Sequence, residues 1–303
     1  MLYKQKNIWV FIIASITCLF SLLVGLGWIF NFTSILSIIP NAATMKFNTA
    51  LSFSLTSIGL FILFKEQKFY SVLRISIASF LIALGMFSLI QYIFELSIGI
   101  DNFFVQDTNL STYPGRMSPA TSLCFILLGI GFWGVTSKHV VTRNISQHLI
   151  LATITISFVS TITYILSIPS ENKTMFWNSM AIHTSILFLI SSIALSLKNS
   201  EIGFINLISG SHTGSKLIRL LLPFLIFLPS FLSYLLINIL NKDNIHIDFG
   251  IAIFTTIFIL FSIVFISVLA KKENTNDLYR KDLEASLKDK NKEFRAICFY
   301  CYT

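Results

Sequence analysis

The sequence predicts an all-α integral membrane protein with eight transmembrane helices. These are expected to form three parallel two-helix repeats and a final hairpin, followed by a cytoplasmic exit helix. Three observations predict this fold class: long apolar runs, a motif that occurs three times, and an uneven distribution of basic residues. The mean hydropathy is +0.78 and charged residues make up only 12% of the chain. That charged fraction is about half the share of an ordinary soluble domain.

Apolar runs of roughly 18 or more residues predict spanning helices, because a segment inside the bilayer must satisfy its own backbone hydrogen bonds. Eight runs meet this criterion: residues 8–30, 47–64, 71–94, 118–136, 147–168, 179–197, 217–240 and 249–270. Lys4 and Lys6 precede the first run, as basic residues do in a signal peptide. The run is longer than the apolar region of a signal peptide, so we expect a retained helix.

A Met-x-x-x-Thr-x-x-x-Phe motif begins the second helix of each of the first three predicted hairpins. Its copies are Met45–Phe53, Met117–Phe125 and Met180–Phe188. Self-similarity of this kind is typical of a repeated supersecondary unit. Because all three copies have the same orientation, we expect parallel repeats rather than the inverted pairs of many transporters.

The basic residues predict the topology. With a cytoplasmic N-terminus, ten basic residues lie on the inside: Lys4, Lys6, Lys65, Lys68, Arg74, Lys138, Arg143, Lys198, Lys216 and Arg219. Only four then lie outside: Lys46, Arg116, Lys173 and Lys242. This asymmetry follows the positive-inside rule, so both termini are predicted to be cytoplasmic. The net charge of +8 is thereby explained by basic residues that set the membrane topology, and no nucleic-acid partner is expected.

The repeated threonine is the best candidate for a ligand-binding site. Thr49, Thr121 and Thr184 are predicted one turn inside the outer membrane surface, where they would converge if the hairpins surround a threefold centre. The polar residues Asn48, His183 and Arg116 lie nearby in the sequence. Helix packing is the alternative, because membrane helices use small residues and hydroxyl groups for close approach. A parallel stripe of small residues favours packing: Ala50, Ser122, Ser185, Ser57, Gly129 and Ser192.

No catalytic, metal-binding or cofactor-binding motif is recognisable, and no predicted span carries a charged residue near its centre, where transport groups are expected. The chain is therefore not expected to be an enzyme or to hold a cofactor. His183 is either a pH sensor, because imidazole changes its charge near neutrality, or a single interfacial residue that makes an ordinary hydrogen bond. Cys298 and Cys301 form a CxxC pair with no second ligand pair, so a metal or redox role and chance both remain open.

The C-terminal third predicts a change of environment at residue 271. Pro223 and Pro229 in the seventh run indicate a kink, which serves either as a hinge or as a static fit to the bundle. Residues 271–295 are strongly charged, with a narrow apolar stripe that includes Tyr279, Leu283 and Leu287. This pattern fits a dimeric coiled coil or a solvated helix. The predicted domains are thus 1–270, 271–295 and a short tail, 296–303.

Several stretches resemble the membrane sensor region that precedes PAS, histidine-kinase or diguanylate-cyclase modules in bacteria. They are Gly115–Gly129, Met45–Phe53 and Gly214–Pro223, together with Asn291–Ile297, which is similar to the opening of a PAS domain. The resemblance implies a sensory input module in the bacterial inner membrane, with the lipid bilayer, a second copy of the chain and a cytoplasmic signalling protein as partners. In that family an output domain begins near Phe294, so we expect this chain to be truncated there.

Two other functions remain open from the sequence. A small transporter or channel for polar, uncharged substrates is one. A membrane remnant of a truncated sensor kinase, without activity, is the other.

Overall fold

A computed structural model describes most of the chain. The described residues are 2–39, 42–97, 99–107, 113–168, 173–177, 179–210, 213–243, 250–251, 254–266, 268–269, 275–276, 279, 283–284, 286–288 and 290. Every regular element in these ranges is a helix. The all-α prediction is therefore confirmed for this part of the chain.

Ten α-helices follow one another along the described residues. They are α1 (Leu2–Ile29), α2 (Thr33–Leu36), α3 (Phe47–Phe61), α4 (Lys68–Ile93), α5 (Pro119–Val135), α6 (Val140–Ile165), α7 (Ile182–Ser196), α8 (Gly203–Ser209), α9 (Thr213–Asp243) and α10 (Phe254–Ile266). A 3₁₀ turn, Ile100–Asn102, lies in the α4–α5 loop, and a second, Leu197–Asn199, extends α7.

Five of the described helical segments are long and apolar enough to cross a membrane: Lys6–Ile29, Lys68–Ile93, Val140–Ile165, Ile182–Asn199 and Gly214–Leu240. The chain is therefore a membrane protein with several spanning helices. The remaining predicted spans coincide with shorter apolar helices, α3, α5 and α10. At 1.5 Å per residue, the 15 residues of α3 extend about 22 Å, against a hydrocarbon core of about 30 Å.

The ends of the short helices have local causes. Ser118 caps α5 by accepting a hydrogen bond from the backbone N–H of Thr121, and Pro119 occupies the first turn, where a missing N–H costs nothing. At the end of α3, the Arg74 guanidinium donates to the carbonyl oxygens of Ile62 (2.9 Å) and Lys65 (2.7 Å). Arg74 thereby satisfies carbonyls that a helix end leaves without intrahelical donors.

The chain divides into two compact units, Met1–Arg219 and Leu220–Thr303. In the first unit α1 packs beside α3, α4 beside α5, and α6 beside α7, while α3, α5 and α7 contact one another. The Met, Thr and Phe side chains of all three motifs are at most 2% exposed. The three motif phenylalanines form a cluster with ring centroids 4.6–5.0 Å apart: Phe53, Phe125 and Phe188.

Small residues allow α4 and α5 to approach closely. A Cβ atom at Gly85 would lie 2.6 Å from the Ser122 carbonyl oxygen, and one at Gly129 would lie 2.8 Å from the Ala78 carbonyl oxygen. The other members of the small-residue stripe, Ala50, Ser57, Ser185 and Ser192, are also buried. Close backbone approach through such residues is a general means of packing helices in membranes.

The second unit is described in part. Within it, α9 continues as a helix through Pro223 and Pro229, and the rings of Phe224 and Phe265 stack with centroids 3.8 Å apart. The predicted domain boundary at residues 270 and 271 lies outside the described residues. So does the 296–303 tail with Cys298 and Cys301. In the predicted exit helix, 271–295, the residues that the structure describes are helical.

Candidate functional site: a buried polar layer at the motif end

The three motif threonines lie at the motif end, defined as the end of the first unit where α3, α5 and α7 begin. Each precedes its motif phenylalanine by four residues, so both stand on the same face of their helix. Because the phenylalanines contact one another, that face points to the centre of the unit. Thr49, Thr121 and Thr184 are each 2% exposed, and the Thr121 hydroxyl lies 2.7 Å from that of Ser118.

Arg116 is placed in the α4–α5 loop rather than in an open pocket. Its Nε donates to Asp101 Oδ2 at 2.9 Å, and its Nη2 donates to the carbonyl oxygen of Leu96 at 2.8 Å and to the side-chain oxygen of Gln91 at 3.3 Å. The rings of Tyr92 and Tyr113 flank the guanidinium at 5.2 and 4.8 Å. Arg116 thus uses its hydrogen-bond donors to hold the loop against the end of α4.

Asn48 connects α3 to the same loop. Its side-chain Nδ2 donates to the carbonyl oxygens of Ile100 (3.2 Å) and Asp101 (3.4 Å). Two of the predicted site residues, Asn48 and Arg116, are therefore brought together at Asp101. The polar partners of both are protein groups, and both side chains are buried.

Sequence reasoning missed the ion pair between Lys46 and Asp107. Lys46 Nζ lies 2.5 Å from Asp107 Oδ2, and the two side chains are 9% and 1% exposed. Asp107 Oδ2 also accepts from the backbone N–H of Gly115 at 2.8 Å. The sequence did contain a signal: Lys46 and Asp107 are opposite charges in two loops predicted on the same side of the membrane.

The turn at Gly115 requires glycine. Its φ is +73°, and a Cβ atom there would lie 2.4 Å from Asn102 Oδ1 and 2.5 Å from the Asp101 carbonyl oxygen. Glycine alone adopts this conformation without strain. Together with Gly115, five polar side chains hold the α4–α5 loop against the start of α3 and the end of α4, and we call them the loop clamp: Lys46, Asn48, Asp101, Asp107 and Arg116.

His183 occupies the first turn of α7, at the motif position that Asn48 holds in α3. It is 3% exposed, and neither ring nitrogen has a hydrogen-bond partner in the part of the chain that the structure describes. The turn before it is fixed by Tyr164, whose hydroxyl donates to the Met180 carbonyl oxygen at 2.8 Å. The Lys173 ammonium group lies over the Tyr164 ring. Burial lowers the pKa of Lys173.

The polar side chains at the motif end include two acid–base pairs and one buried imidazole. Among the described residues, no group of three or more His, Cys, Asp or Glu side chains is placed to hold a metal ion. Each acid of the loop clamp is already bound to a base. The buried imidazole of His183 is a polar group to which a ligand could hydrogen-bond.

The chain matches no protein-family model, no curated protein and no solved structure. Its function is therefore argued from its fold, its charges and the polar layer at the motif end.

Proposed function

We propose that the chain is the membrane-embedded sensory input module of a bacterial signal-transduction protein. In this proposal eight helices cross the inner membrane as three parallel hairpins and a final hairpin, with both termini in the cytoplasm. The module relays a signal from its outer face or the membrane to a cytoplasmic PAS, histidine-kinase or diguanylate-cyclase output. The relay is a shift between two states of the bundle, biased at the motif end.

The observation that carries the proposal is the continuity between the loop clamp and the three-helix centre. Lys46 and Asn48 of the clamp precede Thr49 by three residues and by one, and Arg116 precedes Thr121 by five. A displacement of the α4–α5 loop therefore acts on the first turns of α3 and α5 through buried charge-assisted bonds. Such bonds are strong when made and costly when broken, which suits a two-state element.

The distribution of charge supports placing the motif end outside. Lys46 and Arg116 are each paired with an aspartate there. At the opposite end, where α1 begins and α3 ends, Lys6, Lys65 and Lys68 have no ion-pair partner within 4 Å among the described residues. Unpaired basic residues favour the cytoplasmic side.

Exposed apolar residues in the exit helix support a homodimer. Tyr279, Leu283 and Leu287 are 71%, 51% and 59% exposed in the single chain, and they follow one another at four-residue spacing. A stripe of this width is covered when two such helices form a coiled coil.

The test is a fusion of residues 1–295 to an intact output domain, with transcription of a reporter gene as the readout. We expect the output to respond to envelope stress or to an external ligand. Valine at Thr49, Thr121 and Thr184 should reduce that response, whereas the control Thr155→Val, at an exposed position of α6, should not. Constitutive output that the three substitutions leave unchanged would exclude the threonine layer as the input site.

The two competing functions predict different results in a transport assay and in the reporter assay. A transporter or channel would move polar, uncharged solutes in proteoliposomes, although the contacting rings of Phe53, Phe125 and Phe188 fill the centre of the first unit. An inactive remnant would neither transport nor signal.

The membrane topology can be tested independently. Single cysteines placed at the exposed positions Phe103 and Phe69 would be labelled from opposite sides of the membrane.

A further inference from the structure

A pocket of about 280 Å³ lies between α1 and α3 at the basic end, the end of the first unit opposite the motif end. Its lining is mainly apolar, with two polar side chains: Asn7, Val10, Phe11, Leu60, Phe61, Phe64 and Lys65. The rings of Phe11 and Phe61 meet edge to face at 5.2 Å. Phe11 is 61% exposed on a helix that faces lipid, so the pocket is accessible sideways from the bilayer.

Positive charge surrounds the mouth of this pocket. Lys65 is exposed and lies over the Tyr70 ring at 4.8 Å, and Lys198 lies over the pocket residue Phe64 at the same distance. Lys6, one residue before Asn7, donates to the Ser200 hydroxyl. Glu66 is an acidic neighbour whose charge interacts with Arg74 and Lys198. The local charge is therefore positive beside an apolar cavity.

The side-chain oxygen of Asn7 is a hydrogen-bond acceptor in the pocket lining. Its side-chain oxygen is buried and has no partner among the residues that the structure describes. A buried polar atom left without a partner is unfavourable, so a donor delivered by a ligand would be held there.

We propose that this pocket binds one anionic phospholipid of the phosphatidylglycerol type. An acyl chain occupies the apolar floor between Val10, Phe11 and Leu60. The phosphodiester pairs with the Lys65 ammonium group, and a headgroup hydroxyl donates to Asn7. Basic pockets at the cytoplasmic ends of spanning helices commonly recognise anionic headgroups. This inference depends on the chain being a membrane protein and not on its sensory role.

Native mass spectrometry of the full chain in detergent tests the proposal, with phosphatidylglycerol, phosphatidylcholine and glycerol phosphate as probes. We expect one phosphatidylglycerol to be retained in preference to phosphatidylcholine. Glycerol phosphate alone should not displace it, because the acyl chain supplies part of the affinity. Lys65→Gln should weaken phosphatidylglycerol binding about fivefold. Asn7→Leu should reduce the preference over phosphatidic acid, which lacks the headgroup hydroxyl.

The matched control is Lys138→Gln, because Lys138 is an exposed lysine of the α5–α6 loop that does not line the pocket. It should bind the lipid as the unmodified chain does. Equal retention of phosphatidylcholine, an equal effect of Lys65→Gln and Lys138→Gln, or displacement by glycerol phosphate would each overturn the proposal. The mass-spectrometric readout requires no signalling output, so these results are independent of the signalling experiment.

Discussion

Replacing Asp107 by asparagine would show how strongly the loop clamp holds the motif end. The substitution preserves the shape of the side chain and an oxygen that accepts from the Gly115 N–H, but it removes the negative charge. Lys46 is then left as a buried cation, since its side chain is only 9% exposed. We expect Asp107→Asn to destabilise the first unit.

The magnitude follows from burial and distance. Two unit charges about 4 Å apart attract by about 4 kcal/mol at an effective dielectric constant of about 20, and Lys46 and Asp107 are at least this close. Removing one partner of a buried pair typically costs about 3–5 kcal/mol. For a domain of about 200 residues, a loss of ~3 kcal/mol lowers the melting temperature by roughly 6–12 °C.

The assay is thermal unfolding of the purified protein in one detergent, for Asp107→Asn, Lys46→Met and the double variant. Each single change should lower the melting temperature by roughly 6–12 °C. The decrease in the double variant should be smaller than the sum of the two single decreases. The control is Glu95→Gln, because Glu95 is an exposed acid of the same loop and should change stability by less than about 0.5 kcal/mol. Additive effects, or a shift below 2 °C for Asp107→Asn, would refute a coupled buried pair.

Three further substitutions test the packing of the first unit by the same assay. Gly129→Ala should cost about 1–3 kcal/mol by overpacking α5 against α4, whereas Gly25→Ala, with nothing within 4 Å of the added atom, should be neutral or stabilise α1. Phe188→Ala should cost about 3 kcal/mol or more through the cavity it leaves, but Phe103→Ala, at a side chain 76% exposed, should cost less than about 1 kcal/mol. His183→Leu should leave the melting temperature unchanged or raise it, because an unpartnered polar ring is removed. A loss of more than about 1 kcal/mol in the free energy of unfolding of this variant would mean that the ring has a structural partner.

The sequence predicted the helices well because their signal is local. Apolar runs and the repeated motif identified the segments in which α1, α3, α4, α5, α6, α7, α9 and α10 occur. The motif threonine and phenylalanine lie four residues apart and so share one face of their helix, whereas the motif Met lies two residues before the helix begins. The bounds of α5 agree with the predicted run 118–136 to within one residue at each end, whereas α3 ends three residues before the end of the run 47–64, because residues 62–64 form a turn although they are apolar.

The polar layer was harder to predict because its bonds join residues that are far apart in the chain. Lys46 and Asp107 are 61 residues apart, and no periodic pattern connects a loop residue to the start of an earlier helix. Arg116 was expected in a ligand pocket, and the structure places its donors on Asp101, Gln91 and Leu96. An ordinary hydrogen bond is one of the two expectations for His183, and neither of its ring nitrogens has a partner among the described residues.

The short lengths of α3 and α5 bear on how the chain enters the membrane during synthesis. A helix of 15 or 17 residues covers less than the full hydrocarbon thickness, so alone it leaves polar flanking backbone near lipid. Both helices pack against longer neighbours, α1 and α4, that are made just before them. In the proposed eight-span topology, insertion should therefore proceed hairpin by hairpin, with α1 and α4 staying beside the insertion machinery until their shorter partners emerge from the ribosome.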